Sequence, residues 1–302
     1  MEKKMARWYR SLAVPVVVAI LFSSITLGGC GNIQSKDNGD KYSVYNNPTV
    51  IGSTKNELST FYEHVGSCDS ALGQIVADSM LYSGLSGAQI GLINAGSVRW
   101  RPSKGIANDK IPAGNLTKGD VDLFLPFDNL TGISPATAPA TIVMVSLTGK
   151  LLKSVMENSF SRMLATGMAG TSYGRFLQPS GSLKVWADVT KPVGSRITRM
   201  QFLKFSTSAN AWQAVNDIDM TDTTVTYRVV VASKYVDSTT SSSKDSTGDG
   251  HQPILMQGTD IVDTKTYVYN AVVDLISKYS PLDYSEPVSC TGAGNRLVIT
   301  HQ

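Results

Sequence analysis

The chain has 302 residues, of which 42% are hydrophobic, with 27 basic and 24 acidic side chains. This length suits one large domain or two small ones and is sufficient for a real hydrophobic core. The first 29 residues hold four of the basic side chains and one acidic side chain, so the remainder is balanced in formal charge. Because a nucleic-acid-binding protein normally carries a basic excess, the composition argues against nucleic acid as a partner. It also gives no support for electrostatic attraction to anionic lipid.

The N-terminus has the pattern of a lipoprotein signal peptide over residues 1–29. Basic residues precede an apolar stretch, Leu12 to Phe22, which is short for a bilayer span. The segment Leu27-Gly28-Gly29-Cys30 then resembles a lipobox. It predicts that the thiol of Cys30 carries the lipid and that the protein is held at the cell membrane, on the extracytoplasmic face. The alternative is an uncleaved N-terminal anchor helix.

The predicted elements after this leader begin with a flexible tether over residues 30–57, rich in Asn, Ser, Lys and Gly, followed by a folded domain over 58–302. Hydrophobic periodicity, capping residues and β-rich runs mark the rest. In chain order we predict a helix that Asp69 caps and that runs to Tyr82, a buried strand over 88–93, a short helix from the capping box at 117–120, a strand over 141–147 and a helix from 148 or 149 to 164. Strands over 174–178, 183–187, 196–202 and 225–232, a loop over 238–250, a helix over 264–279 and a strand over 297–300 follow. Several strands in succession favour an α+β fold with a mixed sheet and packed helices.

Two cysteines remain after Cys30. Outside the cytoplasm Cys68 and Cys290 form either a disulfide that joins the start and end of the domain or two separate buried thiols. The three histidines are far apart in sequence, and none has the spacing of zinc ligands. We therefore expect no metal and no cofactor.

Five short segments share an order and a spacing with one known family. They are Ala71–Met80 (ALGQIVADSM), Gly91–Arg99 (GLINAGSVR), Leu125–Asn129 (LPFDN), Leu147–Leu152 (LTGKLL) and Thr247–His251 (TGDGH). Together they resemble the C-terminal, substrate-binding domain of the 5'-nucleotidase / UDP-sugar hydrolase family, over about Leu58 to Tyr279. The resemblance implies a domain that holds a nucleoside between two aromatic side chains, with polar groups at the base edge, ribose and phosphates.

The resemblance assigns roles to five residues, each with a plainer structural alternative. Phe127 is the first stacking aromatic or else a core residue, and Asn129 is its polar neighbour or else a turn residue. Asn94 contacts the base or caps the end of a strand, and Arg99 is a cation on the phosphate side or a surface residue. Asp249 is the ribose-binding carboxylate or an Asx-turn residue. A carboxylate accepts hydrogen bonds well from two vicinal hydroxyl groups.

The sequence also departs from the family pattern. The ungapped position of the second stacking aromatic is Ser243, so Tyr235 is the nearest candidate, with a strand-end tyrosine as the alternative. The last motif lacks one glycine, and His251 replaces its aromatic. In family members, arginines that face the phosphate precede the first helix, and this sequence has no counterpart of them. Recognition of charge would then depend on Arg99, which favours nucleosides or less charged ligands over nucleotides.

Family enzymes hydrolyse phosphate esters in a separate metallophosphatase domain, whereas here only the tether precedes the domain. We therefore expect no catalytic residue in this chain. Three hypotheses follow: a membrane-anchored nucleoside- or nucleotide-binding module, the specificity half of a split 5'-nucleotidase that works with a separate metallophosphatase, or a degenerate structural or partner-binding domain.

Overall fold

The computed structural model describes residues 47–60, 62–83, 85, 87–98, 110–125, 139–167, 173–236 and 249–302. Its elements belong to one unit, residues 41–302. The helices are α1 (Tyr62–Val65), α2 (Ala71–Tyr82), α3 (Lys118–Phe124), α4 (Gly149–Phe160), α5 (Gln252–Leu255) and α6 (Val268–Tyr279). The strands are β1 (Val50–Thr54), β2 (Leu58–Ser59), β3 (Ile90–Asn94), β4 (Lys110–Ile111), β5 (Gly114–Thr117), β6 (Thr141–Thr148), β7 (Leu177–Pro179), β8 (Leu183–Asp188), β9 (Ile197–Ser206), β10 (Ala211–Asp217), β11 (Thr226–Ala232), β12 (Thr259–Tyr267) and β13 (Leu297–Thr300).

The main sheet has the strand order β12-β6-β11-β3-β7, and a second sheet has the order β10-β9-β8-β13. Two small two-stranded sheets pair β1 with β5 and β2 with β4. Strand β11 runs parallel to β3 and β13 runs parallel to β8, whereas the other pairs are antiparallel. Mixed sheets with a few packed helices confirm the predicted α+β class.

Strand β3 lies in the interior of the main sheet, and all five of its residues are buried. Helix α2 packs closely against it. A Cβ at Gly91 would lie 2.3 Å from the carbonyl oxygen of Ala77, so the helix approaches this near only because residue 91 has no side chain. Burial on both faces explains why β3 is a continuous run of apolar and small residues rather than an alternating one.

The caps of three helices are local features. Ser70 Oγ accepts a hydrogen bond from the backbone of Gly73 at 3.0 Å, so the α2 cap is Ser70 and the predicted Asp69 is wrong by one residue. Asp69 Oδ2 instead accepts the backbone N–H of Arg296 at 2.6 Å, a contact made across the fold. Thr117 forms the predicted capping box at α3, and Thr148 caps α4.

Several predicted boundaries are wrong. The helix predicted to reach residue 164 ends at Phe160, and the strand predicted from residue 174 begins at Leu177, after a 3-10 turn at Tyr173–Arg175. The domain begins before residue 58, because β1 at Val50–Thr54 pairs with β5 inside the predicted tether. The helix predicted from residue 264 begins at Val268, because β12 continues to Tyr267 along the edge of β6. Most residues of β12 are exposed, so the strand has no hydrophobic alternation to reveal it.

The C-terminal segment returns to the start of the domain. Cys290 forms a disulfide with Cys68, which resolves the alternative that the sequence left open. The guanidinium of Arg296 makes two hydrogen bonds to the carboxylate of Asp78, at 2.9 and 2.8 Å, and Tyr284 donates to the same carboxylate at 2.9 Å. This buried group fastens residues 284–296 to helix α2.

The signal peptide and the lipidated Cys30 lie outside the described residues and stay predictions. In the described ranges, no helix combines the length and the apolar character needed to cross a bilayer.

Candidate functional site

The C-terminal end of β3 is the centre of a buried polar network. Asn94, the last residue of the strand, is 3% exposed, and its Oδ1 accepts the backbone N–H of Ser97 at 3.0 Å, which caps a short 3-10 turn. The hydroxyl of Tyr235, which follows β11, donates to the same Oδ1 and lies 3.0 Å from Ser97 Oγ. Asp249 completes the group from a segment 155 residues away in the sequence.

The amide of Asn94 orients the Asp249 carboxylate. Its Nδ2 donates to Asp249 Oδ2 at 3.1 Å and to the carbonyl oxygen of Gly174 at 2.6 Å. An amide nitrogen has two hydrogens, so both are used inside the protein. In this structure Asp249 and Gly174 thus accept both hydrogens of Asn94 Nδ2, and the contact of Asn94 with a base stays a prediction.

Close backbone approach allows this arrangement. A Cβ at Gly174 would lie 2.6 Å from Asp249 Oδ1, and one at Gly96 would lie 2.7 Å from the Cα of Gly174. Both distances are shorter than side chains tolerate, so two glycines let two loops meet beside the carboxylate. The side chain of Asp249 is half-buried.

Helix α4 holds the backbone of the same residue. Asn158 Nδ2 donates to the carbonyl oxygen of Asp249 at 2.9 Å and also faces His251 Nδ1 at 2.9 Å. An amide N–H can only donate, so His251 Nδ1 is the acceptor and its Nε2 carries the proton, which it donates to the carbonyl oxygen of Arg175 at 2.8 Å. The imidazole thereby links three segments of the chain.

His251 is neutral at physiological pH. Its side chain is 1% exposed, and burial lowers its pKa from 6.5 to about 4, with a further lowering from the nearby guanidinium of Arg175. The hydrogen bond to the Arg175 carbonyl oxygen raises the pKa, but by less than burial lowers it. The position at which the family pattern has an aromatic thus holds a ring that is uncharged and fully used in hydrogen bonding.

Tyr235 does not present a stacking face in this structure. The residue is 1% exposed, and its ring meets that of His251 edge-on, with centroids 6.1 Å apart and planes 68° apart. Its hydroxyl binds Asn94 instead. This placement corrects the stacking interpretation and agrees with the strand-end alternative.

Of the predicted site residues, the structure brings Asn94, Asp249 and Tyr235 together. Arg99, Phe127 and Asn129 lie outside the described residues, so their roles stay predictions. Sequence reasoning missed Asn158 and Gly174. Asn158 has no local signal, since it is one polar residue on an amphipathic helix, whereas the glycine-rich stretch before β7 gave some indication of Gly174.

Within the parts of the chain that the structure describes, no three His, Cys, Asp or Glu residues converge as metal ligands. The side chains bonded to Asn94 are the Asp249 carboxylate and the Tyr235 hydroxyl, and the Arg175 guanidinium lies nearby, close to His251.

The mixed sheets and the few packed helices place the chain in the α+β class. The sequence model of the "5'-nucleotidase, C-terminal domain" family matches residues 50–241, so the chain belongs to this family. Among curated proteins, none matches the chain in sequence.

Solved structures agree with this assignment. The chain is similar to a 5'-nucleotidase precursor from Thermus thermophilus, with 26% identity and a TM-score of 0.59 over 84% of this chain and 40% of that one. It also resembles in fold the NAD nucleotidase NadN of Haemophilus influenzae, with 18% identity and a TM-score of 0.58 over 85% and 39%. The chain thus spans about two fifths of the length of these proteins.

Proposed function

We propose that the protein is a membrane-anchored, extracytoplasmic module that binds nucleosides or nucleotides. The observation that carries the proposal is the position of the Asp249 carboxylate. Asn94 Nδ2 donates a hydrogen bond to this carboxylate, and Asn158 Nδ2 donates to the backbone carbonyl oxygen of the same residue. Asp249 is also the position at which the family resemblance puts the ribose-binding aspartate. A carboxylate that accepts from two neighbouring hydroxyl groups binds a ribose diol through charge-assisted hydrogen bonds.

Preorganisation supports this role. The carboxylate is fixed by groups that are themselves held, because Asn94 is buried and its Oδ1 is bonded to Ser97 and Tyr235. A ligand therefore does not have to order the Asp249 side chain, and the entropy cost of that ordering is avoided. Phe127 would supply a stacking face and Arg99 a cation on the phosphate side, as the family resemblance implies.

Two observations support an extracytoplasmic location. The N-terminal sequence has the pattern of a lipoprotein signal peptide ending at Cys30, and Cys68 is bonded to Cys290. Structural disulfides persist in oxidising compartments. Metabolic labelling with radioactive palmitate tests the anchor: the label should follow the protein into the membrane fraction and be absent from Cys30→Ser. A labelled Cys30→Ser protein contradicts the assignment.

Calorimetry with adenosine, AMP and UDP-glucose tests ligand binding in the full-length chain. We expect saturable binding of at least one of them, weakened about tenfold or more in Asp249→Asn, a loss of about 1.4 kcal/mol. Asp260→Asn is the matched control, because it makes the same change at an exposed aspartate that lies outside the five motifs. The proposal would be refuted if none of the three ligands gave a measurable heat of binding, or if the Asp249 and Asp260 variants bound with equal affinity.

A second function has one observation in its favour. The chain spans only about two fifths of the nucleotidases that it resembles. The second candidate function is therefore that of a specificity domain, which binds the substrate for a metallophosphatase on another polypeptide. Adding such a domain, purified separately, should let the mixture release phosphate from AMP with Mn²⁺ and should be ineffective with Asp249→Asn. A mixture no more active than its parts removes this candidate.

A further inference from the structure

Four aromatic side chains meet on the surface at a place that the nucleoside site does not use. This aromatic patch consists of Tyr82, Phe205, Trp212 and Tyr279, which come from α2, β9, β10 and α6. Tyr82 contacts Tyr279 with ring centroids 6.2 Å apart and Trp212 at 6.3 Å, while Trp212 contacts Phe205 at 5.6 Å. Tyr82, Phe205 and Tyr279 remain 42%, 41% and 40% exposed.

Exposed aromatic residues that cluster in this way differ from scattered surface residues. Single exposed apolar side chains are ordinary, whereas a contiguous patch rimmed by polar groups marks an interaction site. Here three parts of the chain that are far apart in sequence, α2, the paired strands β9 and β10, and α6, converge to build one surface. Burial in the hydrophobic core does not explain this cluster, because Tyr82, Phe205 and Tyr279 are exposed at the surface.

The position of Trp212 is fixed in advance. A Cβ on Gly181 would lie 2.2 Å from the indole ring, so the ring lies directly against the backbone of the turn between β7 and β8. The T-shaped contact with Phe205, at an interplanar angle of 75°, supports it from the other side. A ring that is already immobilised costs little entropy when a ligand covers it.

A cleft of about 450 Å³ adjoins the patch. Tyr82 and Tyr279 line it, each as the last residue of its helix, together with Asp274, Ser277 and Lys278. In the part of the chain that the structure describes, the side chains of Asp274 and Ser277 make no hydrogen bond or ion pair. The cleft therefore combines aromatic surface with polar groups that are available to a ligand.

The chemistry of this surface narrows the class of ligand. Asp274 and Lys278 have opposite charges, so the cleft is balanced and does not select an ion. The Lys278 ammonium already lies 5.3 Å from the centre of the Tyr279 ring, which opposes a second cation there. Tyr82 and Tyr279 are inclined by 49° and contact each other, so they do not sandwich a flat base between parallel rings.

We propose that the aromatic patch and its cleft bind a neutral carbohydrate. One face of a pyranose ring carries C–H groups, which are apolar and slightly positive and therefore match the negative face of an aromatic ring. Its hydroxyl groups both donate and accept, so Asp274, Ser277 and Lys278 supply the matching acceptor, hydroxyl and donor. Trp212 and Phe205 extend the surface beyond the cleft, which suits an oligosaccharide of several sugar units.

The test uses the full-length protein and three neutral tetrasaccharides: cellotetraose, chitotetraose and maltotetraose. We expect at least one of them to bind saturably in calorimetry and to change tryptophan fluorescence through Trp212. Tyr82→Ser and Tyr279→Ser should each weaken binding by about fivefold or more. Tyr267→Ser is the matched control, since Tyr267 is a 38% exposed tyrosine outside the patch and should retain the wild-type affinity.

The proposal would be overturned by no saturable binding of any tetrasaccharide up to about 10 mM, by equal affinity in all three tyrosine variants, or by binding of phosphocholine in place of sugar. Light scattering tests whether a second copy of the chain covers the aromatic patch instead of a sugar. A dimer that Trp212→Ser dissociates would show that the patch binds a second copy of the chain, and would likewise overturn it. Thermal melting of each variant separates loss of binding from loss of fold.

Discussion

Replacing His251 by Gln should remove a defined part of the acid sensitivity of the folded state. The imidazole has a pKa of about 4 when folded and 6.5 when exposed. Between these values the unfolded chain takes up a proton that the folded chain does not, so the free energy of unfolding falls as the pH falls. Each pH unit contributes about 1.4 kcal/mol. The full loss is therefore about 3 kcal/mol, complete below pH 4 and absent above pH 6.5.

The structural cause of this sensitivity is specific. Protonation gives the ring a second N–H, at Nδ1, so Nδ1 no longer accepts the hydrogen bond that Asn158 Nδ2 donates at 2.9 Å. It also buries a positive charge beside the Arg175 guanidinium. Gln at position 251 has no proton to gain in this range. Its amide N–H is placed to keep the hydrogen bond to the Arg175 carbonyl, which favours a folded variant.

Urea unfolding at a series of pH values between about 7 and 4 measures the effect. The quantity compared is the difference in free energy of unfolding between wild type and His251→Gln, because carboxylates that titrate in the same range contribute equally to both. This difference should change by about 3 kcal/mol across the series. His301→Gln makes the same substitution at an exposed histidine near the C-terminus and serves as the comparison variant. Parallel curves for His251→Gln would refute the reasoning, as would an NMR titration of His251 near its ordinary value.

Three further predictions concern stability. Arg296→Met leaves the Asp78 carboxylate, which is 2% exposed, without its cation, and should lower the free energy of unfolding in urea by about 3–5 kcal/mol; a loss under about 1 kcal/mol contradicts the buried pair. Reducing the Cys68–Cys290 disulfide, which closes 222 residues, should cost about 2–5 kcal/mol in the same assay, and a Cys68→Ser/Cys290→Ser protein should show no response to reductant. Thr117→Ala removes the α3 cap and should cost about 1 kcal/mol by thermal melting, whereas Thr117→Ser should be close to wild type; equal melting of both variants rejects the cap.

The features that could be predicted from sequence are those with local causes. The capping box at Thr117 needs only residues three apart, and Thr148 caps α4 in the same way. Strand β3 was visible as a short, continuous apolar run between turn residues, and its motif carried the family resemblance through Asn94. These signals were sufficient for the α+β class and for the family, which the match over residues 50–241 confirms.

Long-range contacts decided the rest. Asp69 and Ser70 are both good capping residues, and Ser70 became the cap because Asp69 binds Arg296, 227 residues away. Strand β12 forms because β6 has an edge to pair with, although the residues of β12 show no strand pattern. Neither partner is visible in a local window of sequence.

The candidate site shows the same division. The family resemblance in the sequence predicted one ligand contact for Asn94 and a separate one for Asp249. Only the tertiary structure joined them, with Asn94 holding the Asp249 carboxylate and Tyr235 buried behind both. The physical reason is that an amide or a hydroxyl has several possible partners, and the one that it binds depends on which distant segments the packing brings within about 3 Å.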